Sequence, residues 1–462
     1  MRGYSDVLIG LQYGDEGKAR IIDNIASNYD IIARFNGGPN AGHTVEVNNK
    51  RVALHQVPSG IFHPDMLLYI GSGCVLNLEK LINEINEIKN LGIGLDGRLI
   101  ISEQATVILP GHIELDKIIG AEIGSTGNGI GPAYADRALR CWNKKLRNLR
   151  FGDFIDDPKL ARKTIIENWL DYSDDKLMNP YSIADKLMNF AKELKKYACK
   201  NPLWIDSLAR GGKKILFEGA QASLLDVAKG TVPYVTSSYT MSGAAYVGGD
   251  LSPNYHRKTI GVAKAIMSRV GNGPFVSEYG CERSEKYCME DGGKKHNAQF
   301  EKSNYSIDVL LKSNDLFDIG IALRMLGNEY GATTKRPRRI GILDLVSLAH
   351  NCKQNGVDEI YMNKIDCLVD FAKTNLSGIP LVVEYELNGQ KINYLPSTTN
   401  AQRKTNAIAG YLPKMINGIS NCQSYSELPD EAKKIVEKIE AFTECKVAGV
   451  GVGPKREQFI LI

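Results

Sequence analysis

The chain has 462 residues, of which 43% are hydrophobic and 24% charged, and its formal net charge is +4. This composition is that of an ordinary globular protein and excludes a disordered chain. Lys and Arg are spread along the sequence, which argues against a general nucleic-acid binder. The nine cysteines are irregularly spaced, so they argue against a disulfide framework and fit a reducing compartment. With no signal-peptide layout and no apolar run of membrane-spanning length, the sequence predicts a cytoplasmic protein.

The first glycine-rich turn follows an apolar run that begins at Asp6. Its residues, Gln12-Tyr-Gly-Asp-Glu-Gly-Lys18, place two carboxylates and a lysine among glycines, which is typical of phosphate chemistry at the end of a strand. A helix that begins directly after the turn would favour negative charge at its N-terminus. The turn differs from the common phosphate loop, because Gln12 replaces the first glycine and Ala19 replaces the hydroxyl residue. Taken alone, Asp15 could also be a helix cap.

Other predicted strands and helices also end in polar or glycine-rich turns. In chain order, these turns span residues 36–44, 124–140, 218–221, 233–238, 268–274, 327–339, 363–366 and 448–456. His43 in the first of them can exchange a proton near neutral pH, although a loop histidine can also be merely solvated. The basic turn at 327–339 suits a carboxylate ligand, because arginine pairs with carboxylates through two parallel hydrogen bonds. A basic surface loop without a ligand is its alternative.

The turn Asn363-Lys-Ile-Asp366 has the N-K-x-D pattern by which GTPases recognise guanine. A carboxylate accepts hydrogen bonds from the guanine N1–H and 2-amino groups together, and adenine does not offer both donors in that arrangement. Strands that end in such turns alternate with helical stretches such as Leu78 to Leu91. This alternation predicts an α/β fold with a large, mostly parallel central sheet, flanking helices and phosphate-binding turns at the strand ends.

Taken in order, these turns resemble the motifs of adenylosuccinate synthetases, which condense inosinate with aspartate using GTP. For example, Gln12–Lys18 is similar to Q-W-G-D-E-G-K, residues 37–44 to G-G-x-N-A-G-H-T, and residues 233–238 to P-Y-V-T-S-S. The chain is identified as a divergent member of this family from Val7 to Ile462. The resemblance implies GTP, a purine 5′-monophosphate and L-aspartate as substrates, Mg²⁺ as cofactor and a homodimer. No repeat or linker divides the chain, so residues 1–462 are predicted to form a single domain.

The resemblance also implies the roles of individual residues. Asp15, Lys18 and His43 are expected to be catalytic, and Asp15 and the carbonyl of Gly42 to bind Mg²⁺. The expected GTP-binding residues are Gly14, Glu16, Gly17, Lys18, Arg338, Lys364, Asp366, Gly451 and Gly453. The expected inosinate-binding residues are Asn40, Thr126, Arg140, Gln221, Thr236 and Arg336, with Arg140 acting across the dimer interface. The expected aspartate-binding residues are Thr333, Thr334, Arg336 and Arg338.

The sequence departs from the family pattern at several positions, namely Tyr13, Ala19, Arg20, Pro39, Asn128, Lys335 and Gly451. Residues 275–326 are polar and form a longer connection than is usual in the family, so we expect an insertion that forms a surface loop. A zinc site at Cys281, Cys288 and His296 is a weaker alternative, because the spacing is wide and a fourth ligand is missing. Two other functions stay open: a paralogue that ligates aspartate to a guanine or deoxy purine nucleotide, and a guanine-nucleotide-binding regulatory protein without turnover.

Overall fold

A computed structural model describes residues 2–47, 50–120, 126–175, 177–331 and 335–462, with the backbone alone for residues 43–47, 50 and 51. The strands are β1 (Ser5–Gly10), β2 (Ile31–Arg34), β3 (His43–Val47), β4 (Lys50–Leu54), β5 (Leu67–Ile70), β6 (Val75–Leu76), β7 (Leu99–Ser102), β8 (Thr106–Val107), β9 (Cys141–Trp142), β10 (Lys145–Leu146), β11 (Ala198–Cys199), β12 (Ile215–Glu218), β13 (His256–Lys264), β14 (Met267–Arg269), β15 (Arg339–Gly341), β16 (Leu343–Asp344), β17 (Glu359–Asn363), β18 (Ile379–Leu387), β19 (Gln390–Ile392), β20 (Thr405–Leu412), β21 (Lys446–Gly451) and β22 (Phe459–Leu461). The helices are α1 (Lys18–Ile25), α2 (Leu78–Asn90), α3 (Pro110–Ile119), α4 (Ile130–Leu139), α5 (Asp153–Asp156), α6 (Pro158–Tyr172), α7 (Pro180–Leu194), α8 (Trp204–Arg210), α9 (Ala244–Gly248), α10 (Cys281–Met289), α11 (Ala298–Asn304), α12 (Ile307–Leu311), α13 (Leu316–Leu326), α14 (Leu345–Asn355), α15 (Thr399–Arg403) and α16 (Asp430–Thr443).

The chain divides into two compact units. The first consists of Met1–Ile9, Lys18–Gln221 and Thr236–Lys258. Its six main strands are parallel and lie in the order β11-β7-β5-β2-β12-β1. Their central residues, such as Leu8, Ile32 and Leu216, are completely buried, which is the pattern of a parallel sheet with both faces covered.

The second unit consists of Gly10–Gly17, Ala222–Val235 and Thr259–Ile462. Strands β13, β17 and β21 are parallel neighbours, and β22 pairs with β21 in the antiparallel direction. A separate small sheet contains β16, β18, β19 and β20. Because parallel neighbours present their carboxyl ends at one edge, the turns after β17 and β21 lie close together.

The predicted α/β fold is confirmed. The expected strands occur as β1, β2, β12 and β17, and polar or glycine-rich turns follow them. The expected helix after residue 77 occurs as α2, where the Asn77 side chain accepts a hydrogen bond from the backbone N–H of Lys80. This cap satisfies a backbone donor that a helix N-terminus leaves open. The single-domain prediction and the predicted 275–326 insertion stay predictions.

The expectation of a surface loop after Phe275 is wrong. The segment contains α10, α11, α12 and α13, and a small apolar core includes Leu311, Phe317 and Ile321. The Asn297 and Asp315 side chains cap the N-termini of α11 and α13. The helices are short, so their apolar residues do not form the long periodic pattern that reveals a helix in a sequence. Within the described ranges, no helix combines the length and the apolar character needed to cross a membrane.

Candidate active site

The turn between β1 and α1 is shaped by its own carboxylate. The Glu16 side chain is 1% exposed and accepts hydrogen bonds from the backbone N–H groups of Gln12 at 3.2 Å and Gly14 at 2.8 Å. Gly17 has a φ of +91°, and a Cβ atom there would lie 2.8 Å from Nδ2 of Asn363. That amide donates to the Glu16 carbonyl oxygen at 2.7 Å. The turn therefore needs glycine at position 17 and uses the Glu16 carboxylate internally.

Asp15 lies at the tip of this turn and joins a group of ionised side chains. Its carboxylate is 2.8 Å from Nη2 of Arg338, and Nη1 of Arg338 is 2.7 Å from the Glu329 carboxylate. Lys264 donates to Glu329 at 3.0 Å and to the Asp15 carbonyl oxygen at 3.2 Å. Lys364 also forms an ion pair with Glu329. We call these five residues the Glu329 cluster.

The electrostatics of the Glu329 cluster favour the ionised forms of its buried carboxylate and arginine. Burial opposes ionisation of Glu329, but Lys264, Lys364 and Arg338 lower its pKa well below the usual value. Burial also opposes the charge of Arg338, and the two carboxylates beside it raise its pKa. The described ion pairs join three cations to two carboxylates. Glu16 is a third carboxylate near Arg338, and burial lowers the pKa of Lys264. The partly exposed Lys364 and Arg338 are therefore the cations that suit an anionic ligand such as a phosphate group.

The N-K-x-D turn lies beside the end of β21. Lys364 has a φ of +62° and donates through Nζ to the Gly327 carbonyl oxygen at 2.5 Å. The backbone N–H of Ile365 donates to the Gly451 carbonyl oxygen at 3.3 Å. Asp366 is half-buried at the start of a 3₁₀ turn. The structure thus brings Lys364, Asp366 and Gly451 together, while Gly453 follows two residues after the end of β21.

The basic loop that contains Arg336 and Arg338 folds back on itself. The backbone N–H of Gly331 donates to the Arg336 carbonyl oxygen at 2.8 Å, and that of Arg338 donates to the Glu329 carbonyl oxygen at 3.0 Å. The Arg338 side chain is 14% exposed within the Glu329 cluster, whereas Arg336 is exposed. The predicted Thr333 and Thr334 lie outside the described residues.

In the first unit, Asn36 joins three of the predicted nucleotide-binding segments. Its Nδ2 donates to the Ala220 carbonyl oxygen and to Ser238, each at 3.2 Å, and its Oδ1 accepts from the Ala220 N–H at 2.9 Å. These bonds tie the turn that contains Asn40 to the turns of Gln221 and Thr236. Gln221 has a φ of +57°, and its Oε1 is buried without a hydrogen-bond partner in the described part of the chain. A buried acceptor oxygen of this kind is available for a hydrogen bond from a ligand.

The remaining predicted residues of the first unit lie as follows. Thr126 is exposed and accepts a hydrogen bond from Nδ2 of Asn128 at 2.9 Å. Arg140 is exposed at the end of α4, with a φ of +66°. Lys18 is the first residue of α1 and is 4% exposed. Gly42 is exposed, and the His43 side chain lies outside the described residues.

A second buried polar group anchors α4, and we call it the His112 cluster: His112, Asp136, Lys145, Arg147, Asp171 and Tyr172. His112 accepts the Leu109 N–H at Nδ1, so its Nε2 donates to Asp136 at 3.1 Å. Tyr172 donates to Asp136 at 2.8 Å. Arg147 and Lys145 form ion pairs with Asp171 at 2.6 and 2.7 Å. Burial lowers the pKa of His112, although Asp136 opposes this shift.

Sequence reasoning missed Asn36, Lys264 and Glu329. Lys264 and Glu329 are completely buried, and only the folding of the chain brings them to Arg338. Their one local signal is that they stand beside glycine-rich turns. The weaker zinc alternative is not supported, because His296 stacks on Tyr287 and pairs with Glu290. Within the described ranges, no group of three His, Cys, Asp or Glu side chains could hold a metal ion.

Known proteins that are similar to this chain are adenylosuccinate synthetases. The family model of adenylosuccinate synthetase matches residues 7–460. The chain is 41% identical to adenylosuccinate synthetase 2 of Cupriavidus pinatubonensis over 99% of this chain and 97% of that protein. It is 34% identical to adenylosuccinate synthetase of Streptococcus sanguinis over 98% and 97% of the two chains.

Two solved structures are similar to the chain. The fully ligated adenylosuccinate synthetase of Plasmodium falciparum has a TM-score of 0.83 and 30% identity over 100% of both chains. The succinoaminodeoxyadenylate synthetase of cyanophage S-2L, bound to dGMP and dATP, has a TM-score of 0.60 and 18% identity over 100% of this chain and 96% of that one. The latter likeness shows a shared fold alone. On the family match and the curated relatives, this chain belongs to the adenylosuccinate synthetase family.

Proposed function

We propose that the chain ligates L-aspartate to the 6-position of inosinate, with hydrolysis of GTP to GDP and phosphate, as a step of AMP biosynthesis. Membership of the adenylosuccinate synthetase family supports this activity. The structural observation that carries the proposal is the placement of the Asp15 carboxylate 2.8 Å from Arg338, in a cluster that also contains Lys264 and Lys364. A general base beside cations is the arrangement that proton removal coupled to phosphoryl transfer requires.

In the proposed mechanism, Asp15 removes the N1 proton of inosinate. The O6 atom then forms a bond to the γ-phosphorus of GTP, and the bond from that phosphorus to the bridging oxygen of GDP breaks. The amine of aspartate next displaces the 6-phosphoryl group, and phosphate leaves. Lys18, His43 and Arg338 stabilise the transferring group, because such reactions are catalysed mainly by positioning and electrostatics.

The residues assigned to Mg²⁺ fit that ion chemically. Mg²⁺ binds oxygen ligands and usually keeps only one or two carboxylates in addition to substrate phosphates and water. Asp15 offers a carboxylate that is 39% exposed, and Gly42 offers a backbone carbonyl in an exposed turn. When bound, the ion would neutralise phosphate charge.

The binding roles follow from the same assignment. Lys364 and Asp366 would bind guanine, with Gly451 and Gly453 beside them, and Gly14, Glu16, Gly17 and Lys18 would line the phosphates. Asn40, Thr126, Gln221, Thr236 and Arg336 would hold the monophosphate nucleotide. The buried Oε1 of Gln221 supports this role, since none of the described residues forms a hydrogen bond with it. Arg336 and Arg338, with Thr333 and Thr334, would bind aspartate.

We also propose a homodimer in which Arg140 reaches the nucleotide of the neighbouring subunit. Its exposure at the end of α4 supports this role. Arg140→Ala should weaken inosinate binding about tenfold, the loss of one charged hydrogen bond, and leave GTP affinity within twofold in titration calorimetry. Equal losses for both nucleotides would contradict the assignment.

We further propose that residues 1–462 act as one domain, with 275–326 as an insertion, in the cytoplasm. The family match from residue 7 to residue 460 supports the first point. All nine cysteines are free thiols, which supports a reducing compartment.

The test of the function is an assay of succinyl-nucleotide formation with GTP, Mg²⁺ and aspartate. Inosinate, guanylate and their deoxy forms are offered side by side. We expect product from inosinate, with phosphate release that requires both inosinate and aspartate. Product mainly from a guanine or deoxy nucleotide would identify a paralogue, and absence of product with retained GTP binding would indicate a regulatory protein.

A further inference from the structure

Helix α11 contacts the basic loop that contains Arg336 and Arg338, and the point of contact is Lys335. The backbone N–H of Ala298, the first residue of α11, donates to the Lys335 carbonyl oxygen at 3.3 Å. The Lys335 N–H donates to the Gly331 carbonyl oxygen at 3.0 Å. Lys335 has a φ of +55°, in the left-handed region that disfavours residues with a Cβ atom. Its unfavourable conformation is therefore held by hydrogen bonds on both of its backbone polar groups.

A buried carboxylate of α11 reaches the same loop from another side. Glu301 is completely buried, and its two oxygens accept hydrogen bonds from Arg324 at 3.0 Å and Tyr330 at 2.6 Å. Arg324 in turn donates to the Arg338 carbonyl oxygen at 2.9 Å. Helix α11 is thus linked to Tyr330 at the beginning of the loop, to Lys335 in its middle and, through Arg324, to Arg338 near its end.

The residue Gly293, just before α11, lies against the Arg336 side chain. It has a φ of +81°, and a Cβ atom at this position would lie 3.0 Å from Cδ and 3.3 Å from Cγ of Arg336. Contacts this short would force the arginine to move. The absence of a side chain at position 293 therefore gives the aliphatic part of Arg336 its place.

We propose that Gly293 and α11 are a positioning element that sets the affinity for the amino-acid substrate by holding Lys335 and Arg336 in their observed conformations. This inference rests on the proposed function, which assigns Arg336 to aspartate. None of the residues of the positioning element needs to touch a substrate. Its effect is transmitted through the backbone of Lys335 and the stem of Arg336.

The first experiment breaks the contact between the first residue of α11 and Lys335. Ala298→Pro deletes the N–H that reaches Lys335 and puts the ring Cδ in its place, so the Lys335 carbonyl oxygen is also pushed away. Proline itself is favoured at the first position of a helix. Pro158 and Pro180 already occupy that position in α6 and α7. Asn297 has φ −68° and ψ 174°, which suits a residue that precedes proline. We expect the KM for aspartate to rise about fivefold or more, since the usual effect of one lost hydrogen bond is joined by the displacement of the Lys335 carbonyl, with kcat and the KM for GTP within twofold.

A matched control places proline at the same helical position elsewhere. Asp430 is the first residue of α16 and follows Pro429, whose φ of −62° and ψ of 154° are equally compatible. Asp430→Pro should leave every kinetic constant at the wild-type value. An equal rise of the KM for aspartate in both variants would overturn the proposal.

A second set of variants tests whether α11 acts through the conformation of Lys335. Glycine adopts a positive φ without a penalty, so Ala298→Pro should change the KM for aspartate less than twofold in a Lys335→Gly background. Lys335→Ala also removes the ammonium group but keeps Cβ, so the full fivefold effect should persist there. An undiminished effect in the glycine background would overturn the proposal. Gly293→Ala, which displaces Arg336, should raise the same KM without involving α11.

Hydrogen exchange provides a readout that does not depend on catalysis. In Ala298→Pro, the amides of the peptide spanning 327–339 should exchange several-fold faster than in the wild type, while Asp430→Pro should match the wild type. If the wild type forms no product in the ligation assay, the proposed function fails, yet the exchange rates still decide whether α11 holds the loop. Unchanged exchange in Ala298→Pro would overturn the inference.

Discussion

The Glu329 cluster and the His112 cluster are both buried groups of charged side chains, but they differ in charge balance. The Glu329 cluster joins three cations, Lys264, Arg338 and Lys364, to the carboxylates of Asp15 and Glu329. In the His112 cluster, two cations face two carboxylates, and burial keeps His112 neutral. Three cations thus share the one buried carboxylate of Glu329, whereas in the His112 cluster Asp171 pairs with Lys145 and Arg147, and Asp136 with Arg147.

The two clusters also differ in access to solvent. Asp15 is 39% and Lys364 28% exposed, whereas His112 is fully buried and Asp136 is 3% exposed. In the His112 cluster it is Lys145 and Asp171, 36% and 28% exposed, that reach solvent, and not the groups around His112. The comparison teaches that neither burial nor partial exposure of charge by itself indicates function, and that several cations converging on one carboxylate, beside an exposed acid such as Asp15, are the better criterion.

The largest expected effect concerns Asp15. Asp15→Asn keeps the shape of the side chain but removes the proposed general base, so kcat for succinyl-nucleotide formation should fall about 10²- to 10⁴-fold. GTP binding, measured by calorimetry, should persist as the control for folding. A variant with nearly wild-type kcat would show that the exposed carboxylate of the charge-rich cluster is not catalytic.

The next largest effect should be a loss of stability in the His112 cluster. Asp136→Asn removes the charge that pairs with Arg147 and accepts from His112 and Tyr172, and breaking a buried pair costs roughly 3 kcal/mol. We expect the free energy of unfolding in urea to fall by about that amount, with kcat of the folded variant unchanged. Lost activity at unchanged stability would break the distinction between the two clusters.

A smaller effect is expected at Asp366, the proposed guanine-binding residue that follows Lys364 of the Glu329 cluster in the chain. In Asp366→Asn, an amide replaces the carboxylate that would accept two hydrogen bonds from guanine, so the KM for GTP should rise about 10- to 100-fold. Xanthosine triphosphate presents N1–H and a 2-carbonyl, which match an amide. Competition between the two triphosphates should therefore shift towards xanthosine triphosphate, and an unchanged preference for GTP would remove Asp366 from the guanine site.

The smallest effect is a pH dependence of the His112 cluster. Because burial lowers the pKa of His112 in the folded state, the unfolded chain takes up a proton first as the pH falls below about 6.5. Stability from this group is therefore present above that pH and lost below it, by at most about 1.4 kcal/mol per pH unit. Urea denaturation from pH 7.5 to 5.5 should show this loss in the wild type and a flatter curve in His112→Gln. Parallel curves would contradict a neutral His112.

The sequence predicted those features that depend on local patterns. Strand β1 and the turn after it were predictable because an apolar run precedes glycines and carboxylates, and Asn363 to Asp366 because a short pattern ends a strand. Glu329 was not predictable, since nothing near it in the sequence indicates that three cations will surround it. Helix α11 was missed because it is seven residues long and mostly polar, so its stability depends on the Asn297 cap and on tertiary contacts with Arg324 and Tyr330.

The carboxylate of Glu16 has one further consequence for the turn that contains Asp15. By binding the N–H groups of Gln12 and Gly14, it does within the chain what a bound anion does in many phosphate-binding turns. The turn is therefore already ordered before any nucleotide arrives, and association requires no loss of backbone conformational entropy at these residues. The affinity for the nucleotide then depends on the contacts that it makes, since none of its binding energy is consumed in folding this turn.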